Sequence, residues 1–405
     1  MNVEKYKINR FIVLNKQIKP FSVSQMMVFV SVLFLLIISS CNNEKRKPLE
    51  TSAIKLNKID SLSFDLDEFS TGRNNSTLFT IIDGKEYFSF LNTANNSIYF
   101  YDFNTKDLGF KLEFKKDGPL GVGSISHYSL LGLDSLYLYS YNTAILYLTD
   151  SSGNIHDKFS VESKSSEYVR PQLNSTRPLI VLKDLIILNS WGSNKEYYHN
   201  MDYIETNFLF HHVDENIRSY KITYPKIYTK GIWGVQYYQI FHDFNPDTKS
   251  LILSYPIDDS VYVYDLEKNK LTGHLMNGGE EIKIEPLSVN KKMISIPIME
   301  EVNKQLMQYC YNSVKFHKEK DWYMRILYHP VDIVDIENKH PIKSRFPPQS
   351  LIFYDSKFNF LGKFKLPEYE YFTGSIFFHG DHLYIERLFP ENEDLLIFDK
   401  FNVSF

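Results

Sequence analysis

The sequence has only two cysteines, Cys41 and Cys310. Small secreted domains that rely on several disulfides are therefore excluded, and a folded domain of this length must be stabilised by a large hydrophobic core. If Cys41 is chemically modified, the chain can form no internal disulfide. Cys310 is then more typical of a small buried hydrophobe than of a nucleophile.

The sequence also lacks the short motifs that identify many enzymes. It contains no G-x-S-x-G turn, no H-E-x-x-H, no P-loop and no G-x-G-x-x-G. Adjacent His211 and His212 would point to opposite faces of a strand, so they are not expected to chelate a metal. No spacing of acids marks a calcium site. We therefore predict no catalytic or metal-ligating residue, and the sequence indicates no cofactor.

Positive charge is concentrated in the first 40 residues, which carry five basic residues and one acid. Without this segment the net charge changes from −4 to −8. A negative domain of this kind argues against nucleic acid as a partner.

The same segment is typical of a signal peptide. Its basic part is followed by Met26–Ile38, a run of 13 uncharged residues, whereas a membrane-spanning helix needs roughly 20. The run ends in ISSC (38–41), which resembles the lipobox of bacterial lipoproteins. The resemblance implies cleavage after residue 40 and a lipid on Cys41. An uncleaved N-terminal anchor is the alternative, and Met26 or Met27 is an alternative start.

The most prominent pattern beyond residue 50 is a repeated strand of alternating apolar residues, which ends in an acid in five of six copies. We expect these acids to accept hydrogen bonds from the turn that follows. The copies are SIYFYD (97–102), ILYLTD (145–150), NFLFHH (207–212), SVYVYD (260–265), SLIFYD (350–355) and DLLIFD (394–399).

Each copy is preceded by another alternating strand, and most copies are spaced like four-stranded propeller blades. The pattern predicts an all-β fold, a six-bladed β-propeller over residues 51–405, in which an N-terminal strand completes the last blade. The one interval of 90 residues predicts an insertion, with a short helix over 299–309 and a long loop over 329–349. Two β-sandwiches are the alternative architecture.

The chain resembles the Bacteroidota lipoproteins described as domain of unknown function 4221, which are similar in style to TolB-like six-bladed propellers. The resemblance is carried by ISSC, the SVYVYD-type hairpins, YMRILYHP (323–330) and YVRPQ (168–172). It implies the propeller fold and a place in the cell envelope, but no reaction.

Residues 42–50 (NNEKRKPLE) are polar and predict a flexible tether between the lipid and the propeller. Surface-export signals in lipoproteins of this group are acid-rich, whereas residues 42–47 are net basic. We therefore expect a lipid-anchored protein of the cell envelope that faces the periplasm rather than the cell surface.

Arginines beside aromatic residues are the most suggestive candidates for a binding site, because a guanidinium near a ring suits sugars, peptides or carboxylates. Two of them, Arg325 and Arg387, fall in predicted second strands of the last two blades. Such arginines are unexpected unless they are paired or face a wet channel. The full set of candidate ligand-binding residues is Arg170, Arg325, Arg387, Trp191 and Trp233. Arg177, which precedes Pro178, is a further arginine of interest.

Two classes of function remain open. The first is a membrane-anchored binding or scaffold module for a peptide, a glycan or a partner protein. The second is a secreted hydrolase or lyase with its site in the central channel. The missing nucleophile and metal motifs favour the first class, although propeller enzymes often scatter their catalytic residues.

Replacement of the lipobox cysteine tests the anchor. We expect Cys41→Ser to abolish metabolic labelling with lipid and to block lipoprotein maturation, because the thiol that accepts the lipid is lost. Fractionation and labelling of wild-type and mutant cells measure this. Labelling that persists in the mutant would refute the lipobox, whereas membrane retention alone would indicate an uncleaved signal.

Overall fold

The computed structural model describes residues 54–70, 75–161, 169–189, 191–192, 208–213, 217–280, 282–288, 297–338, 342 and 345–405. The predicted signal peptide, Cys41 and the tether lie outside these ranges. The described strands form six antiparallel four-stranded sheets and one two-stranded pair. This confirms the six-bladed propeller and excludes two sandwiches.

The first three blades follow one another along the chain, each with its strands paired in sequence order. The first strand described, β1 (Lys55–Asp65), belongs to blade 6. Blade 1 consists of β2 (Thr77–Ile82), β3 (Lys85–Asn92), β4 (Ser97–Asp102) and β5 (Leu108–Glu113). Blade 2 consists of β6 (His127–Gly132), β7 (Ser135–Ser140), β8 (Ile145–Thr149) and β9 (Ile155–Ser160). Blade 3 consists of β11 (Ile180–Leu182), β12 (Leu185–Asn189), β14 (Phe208–His212) and β15 (Ile217–Lys221). Beside it, β10 (Val169–Arg170), which precedes the blade, pairs with β13 (Trp191–Gly192), which lies between β12 and β14 in the chain.

The last three blades continue the ring, and the chain's first strand completes the last of them. Blade 4 consists of β16 (Phe241–Asn245), β17 (Ser250–Ser254), β18 (Ser260–Asp265) and β19 (Lys270–Leu275). Blade 5 consists of β20 (Cys310–His317), β21 (Trp322–Tyr328), β22 (Gln349–Asp355) and β23 (Phe360–Lys365). Blade 6 consists of β24 (Tyr371–His379), β25 (His382–Arg387), β26 (Leu395–Ser404) and, as its outer strand, β1 (Lys55–Asp65).

Strand β1 pairs with other strands only in the sheet of blade 6. It meets blade 1 through side-chain packing and through a hydrogen bond of 2.6 Å from Tyr101 OH to the Asp65 carbonyl. It pairs with β26 over almost its whole length, from Lys55 opposite Ser404 to Asp65 opposite Leu395. The ring is therefore closed by a strand from each end of the chain, as the sequence predicts.

The repeated segments occupy the same place in every blade. All six copies form third strands, and the alternating strands before them form second strands. These middle strands are buried on both sides, as in Ser250–Ser254, because neighbouring blades pack against each face. The outer strand Lys270–Leu275 is mostly accessible.

Apolar contacts join each blade to the next around the ring. Blades 6 and 1 meet in an aromatic cluster, in which the rings of Phe64 and Phe88 stack with centroids 4.8 Å apart. Four further clusters of buried side chains join the other neighbours, and the largest of them links blades 3, 4 and 5. Hydrophobic burial between blades thus replaces the disulfides that the sequence lacks.

The insertion before and within blade 5 differs from the prediction in two details. The helix α1 spans Ile298–Leu306 and ends earlier than expected, because β20 already begins at Cys310. The loop over 329–349 contains a second helix, α2 (Ile333–Glu337), which we did not predict. Its start is fixed by Asp332, whose side chain accepts a hydrogen bond of 2.8 Å from the Val334 amide. Two 3₁₀ turns, at Lys226–Lys230 and Val235–Tyr238, lie between blades 3 and 4.

Four of the five strand-end acids have the predicted role in turns. In each case one carboxylate oxygen accepts two backbone N–H bonds from the turn that follows; for Asp102 these come from Asn104 and Thr105, at 2.9 and 3.0 Å. The other three acids that act in this way are Asp150, Asp265 and Asp355.

The fifth acid, Asp399, has a different role and corrects the prediction. No turn follows it, because β26 continues to Ser404 and its neighbour is β1. Its carboxylate is buried and contacts all the other strands of blade 6. The bonds come from Ser61 Oγ at 2.8 Å, Lys58 Nζ at 2.9 Å, Arg387 Nε at 2.9 Å and Tyr371 OH at 3.0 Å. Burial alone would raise the pKa of Asp399, but these donors hold it below its usual range.

Replacement of Asp399 tests its role in closing the ring. We expect Asp399→Asn to lower the free energy of unfolding by roughly 2–3 kcal/mol, because a buried charged acceptor is lost. The depressed pKa stabilises the fold above the unfolded value of about 3.9. That contribution disappears as pH falls through the folded pKa, so the variant should lose less stability on acidification.

Urea unfolding at several pH values measures both effects. Asp102→Asn is the matched control, since it alters the same motif at a turn, where asparagine can still accept backbone bonds. Equal losses in the two variants would contradict a special role for Asp399.

Candidate functional site

The segment from Pro171 to Leu179, here called the axial loop, runs between β10 and β11 and contacts the inner strands of other blades. The Ser175 amide donates to the Asn75 carbonyl at 2.7 Å. The Ser175 hydroxyl accepts from the Thr77 amide at 2.8 Å. The Ser175 carbonyl accepts from Lys315 Nζ at 2.7 Å. One residue of blade 3's loop thus joins blade 1 to blade 5.

Two buried histidines hold the end of the axial loop. His127 of blade 2 accepts a bond of 3.3 Å from the Leu179 amide through Nε2, so its Nδ1 donates to Ser76 Oγ at 2.7 Å. His242 of blade 4 donates through Nε2 to the Pro178 carbonyl at 2.8 Å. Burial lowers the pKa of both rings to about 3, and they are neutral at physiological pH. A segment that contacts blades 1, 2, 4 and 5 must lie across the propeller axis.

Arg177 of the axial loop is a buried cation. Its side chain is 8% exposed, donates from Nη1 to Gln239 Oε1 at 3.1 Å, and lies 5.6 Å from the centre of the Phe241 ring. Within the described ranges it forms no ion pair with a carboxylate. Burial lowers its pKa to about 10, so the guanidinium stays charged.

Arg325 links blade 5 to blade 4. It is fully buried, and its guanidinium lies 3.6 Å from the centre of the Tyr311 ring. Its five N–H donors are all used. The acceptors are Ser254 Oγ at 3.0 Å and the carbonyls of Asp259 and Met276 at 3.1 Å, Tyr255 at 3.1 Å and Asp258 at 2.7 Å. The arginine is therefore paired, as a buried arginine in a strand must be, with four backbone carbonyls and the Ser254 hydroxyl.

Arg387 lies within blade 6. It is half-buried, binds Asp399 Oδ1 through Nε and Nη2 at 2.9 Å, and donates to Ser61 Oγ at 3.2 Å. Arg325 and Arg387 do occupy corresponding second strands, but they share no hydrogen-bond partner among the described residues. A ligand contact for either arginine stays a prediction.

The remaining candidates lie near the axial loop or in the core. Trp233 is 2% exposed and packs between Tyr228 and Tyr237, with centroids 6.3 and 6.4 Å away. This geometry gives its ring a packing role rather than an open binding face. The backbones of Arg170 and Trp191 pair directly, which places both beside the start of the axial loop. Their roles in binding stay predictions.

A cavity of about 220 Å³, here called the face pocket, opens beside the axial loop between blades 4 and 5. Its surface is mainly apolar, from Phe241, Val302, Leu306, Cys310, Tyr328 and Pro347. Its polar side chains are Gln236, Gln239, Gln305, Asn312 and Arg345. Gln239 also binds Arg177, so the pocket and the axial loop share one polar network.

Helix α1 has an unusual orientation against this pocket. Glu301 and Gln305, four residues apart, form its buried side, whereas Val302 and Leu306 line the pocket and Met299 is exposed. Two apolar side chains of the helix, Val302 and Leu306, therefore face a cavity instead of the core. The amide of Gln305 is buried, and neither its nitrogen nor its oxygen has a partner among the described residues.

Sequence reasoning missed Gln305, Arg345 and Lys315. The available signals were a glutamine on the inward face of an amphipathic helix and an arginine in a proline-rich loop. Neither signal identifies a pocket without knowledge of which loops converge.

Cys310 lines the face pocket but is not an activated nucleophile. It is half-buried among apolar neighbours, and burial raises the pKa of its thiol to about 12 despite the nearby Arg325. The sulfur is therefore a neutral thiol at physiological pH, in agreement with a small packed hydrophobe.

Two larger cavities have a different character. One of about 430 Å³, on the other side of the axial loop, is lined by uncharged groups that include Ser126, Tyr141 and Asn174. One of about 490 Å³, between blades 6 and 1, contains charged groups such as Asp60 and Lys400. Neither cavity has both an apolar lining and charged side chains of a single sign, whereas the face pocket has both.

His211 and His212 lie on opposite faces of β14, the first buried and the second partly exposed. Within the described ranges, no group of three or more His, Cys, Asp or Glu side chains is placed to hold a metal ion. None of the helices in the described part of the chain has the length and hydropathy of a membrane-spanning segment.

The family described as domain of unknown function DUF4221 has a model that matches residues 53–363. The match spans more than half of the sequence, so the chain belongs to this family, which confirms the resemblance found in the sequence. No curated protein matches the chain.

Two solved structures from Bacteroides support the fold. A DUF4221 member from Bacteroides vulgatus ATCC 8482 is 18% identical with a TM-score of 0.73, over 88% of this chain and 99% of that chain. A candidate exported protein from Bacteroides fragilis NCTC 9343 is 11% identical with a TM-score of 0.51, over 88% of this chain and 96% of that chain. At these identities the likeness shows the fold alone.

Replacement of Arg325 tests the link between blades 4 and 5. We expect Arg325→Met to lower the free energy of unfolding by about 3–5 kcal/mol, because four carbonyls and a hydroxyl lose a buried donor. Arg325→Lys should recover only part of this loss, since an ammonium has three donors. Chemical denaturation measures both variants, with the exposed Lys357→Met in the same blade as the control. A loss no larger than that of the control would refute the structural role.

Proposed function

We propose that this member of the DUF4221 family is a binding protein of the cell envelope, held to a membrane by lipid on Cys41. The propeller face that carries the axial loop would present its ligand site, with a peptide, a glycan or a partner protein as ligand. The observation that carries the proposal is the face pocket, which Val302 and Leu306 of α1 line with apolar surface.

The proposed location has two supports. The lipobox-like ISSC (38–41) follows a basic and then an apolar segment, and a structural relative is described as a candidate exported protein. The net basic stretch after Cys41 favours an anchor that faces the periplasm. Protease added to intact cells would then leave the protein uncut, whereas cleavage would indicate the surface.

The axial loop weighs against the alternative of a hydrolase or lyase in the central channel. The loop crosses the axis, and the histidines that hold it have a pKa of about 3, which makes them poor general bases near neutral pH. A binding module on the face of the ring agrees better with this arrangement.

Filling the face pocket tests the proposal. The full-length protein, purified in detergent, is screened against arrays of peptides and glycans. We expect at least one ligand class to bind the wild type and not Val302→Trp, because the larger ring occupies the cavity. Ile81→Trp is the control, since Ile81 is an exposed apolar residue of blade 1 outside the pocket. Ligands that bind both variants equally would place the site elsewhere, and an array without any bound ligand would refute the binding function.

A further inference from the structure

We propose that the face pocket binds the carboxyl-terminal residue of a peptide whose last side chain is apolar. The inference rests on the proposed binding function and specifies its ligand. It follows from three features of the pocket: its size, the sign of its charge and its amides.

The size of the cavity suits one apolar side chain. About 220 Å³ corresponds to roughly seven groups of the volume of a water molecule. The side chain of phenylalanine has seven carbon atoms, and that of leucine has four. Phe241, Val302 and Leu306 would surround such a group with apolar surface.

The charge of the pocket favours an anion. Arg345 lines it, is exposed, and forms no ion pair with any residue in the described part of the chain, and no Asp or Glu lines the cavity. A second guanidinium, that of Arg177, lies directly behind Gln239. Carboxylates and phosphates are the anions that a guanidinium binds through two parallel hydrogen bonds, and the carboxylate is the one that ends a peptide.

A chain of hydrogen bonds directs further donors into the cavity. Arg177 donates to Gln239 Oε1, and Gln239 Nε2 donates in turn to Gln236 Oε1. The nitrogen of Gln236 is therefore the donor end of this chain, and each bond polarises the next. The chain extends the positive character of buried Arg177 to the pocket surface.

The amides favour a peptide over another carboxylate. Four side chains with carboxamides line the pocket, although the amide atoms of Gln305 are themselves buried below its surface. A carboxamide both donates and accepts, so Gln236, Gln239 and Asn312 can pair with the N–H and the C=O of a peptide group. A fatty acid offers a carboxylate but no amide N–H.

Peptides that differ only at the carboxyl group test this inference. The probes are acetyl-Gly-Gly-Leu and acetyl-Gly-Gly-Phe as free acids and as amides, titrated by calorimetry into the full-length protein in detergent. We expect the acids to bind at least tenfold more tightly than the amides. Arg345→Met should remove this difference, because the exposed arginine supplies the charge without supporting the fold. Lys304→Met is the control for charge loss, on α1 but outside the lining of the pocket.

Other outcomes overturn the inference in distinct ways. Equal binding of acids and amides would exclude carboxylate recognition, and equal binding of acetyl-Gly-Gly-Asp would exclude an apolar subsite. Octanoate that binds as tightly as the acids would indicate a fatty acid. If no probe binds but a glycan bound in the array is blocked by Val302→Trp, the inference fails and the proposed function stands. If nothing binds in either experiment, both fail.

Discussion

Closure of the ring is the constraint on which the rest of the structure depends. A propeller blade is stable only when both of its faces are covered, and the last interface forms only when β1 joins β26 and Phe64 reaches Phe88. Asp399 fixes that junction by accepting bonds from the other three strands of blade 6. The inner strands acquire fixed positions around the axis only in the closed ring, and the axial loop and the face pocket depend on those positions.

The two buried arginines, Arg325 and Arg177, differ in how many of their donors are used. Arg325 donates to four carbonyls and one hydroxyl of the neighbouring blade, so it has no donor left for a ligand. Arg177 has one described side-chain acceptor, Gln239, and its Nε has none. The axial loop fills the position that a ligand in the channel would occupy. The positive charge of Arg177 therefore acts on the face of the propeller, through Gln239.

The fold could be predicted from the sequence because the strand pattern that produces it is local and recurs in every blade. Alternation in segments such as Ser260–Asp265 follows from the pleat and from burial on both faces, and both recur in every blade. The candidate site could not be predicted, because it depends on contacts between residues that are far apart in the sequence. Nothing in the sequence around Ser175 indicates that it binds Asn75, 100 residues earlier, or Lys315, 140 residues later. Asp399 repeats the motif of Asp102 and differs only because no turn follows it.

The closing strand also affects the rate and order of folding. Ser61 and Asp399 are 338 positions apart in the sequence, so their bond forms only after nearly the whole chain has been synthesised. Such non-local pairing carries a large loop-closure entropy and slows folding. Until it forms, β1 and β26 both have unpaired edges and exposed aromatic faces, which favour association between chains.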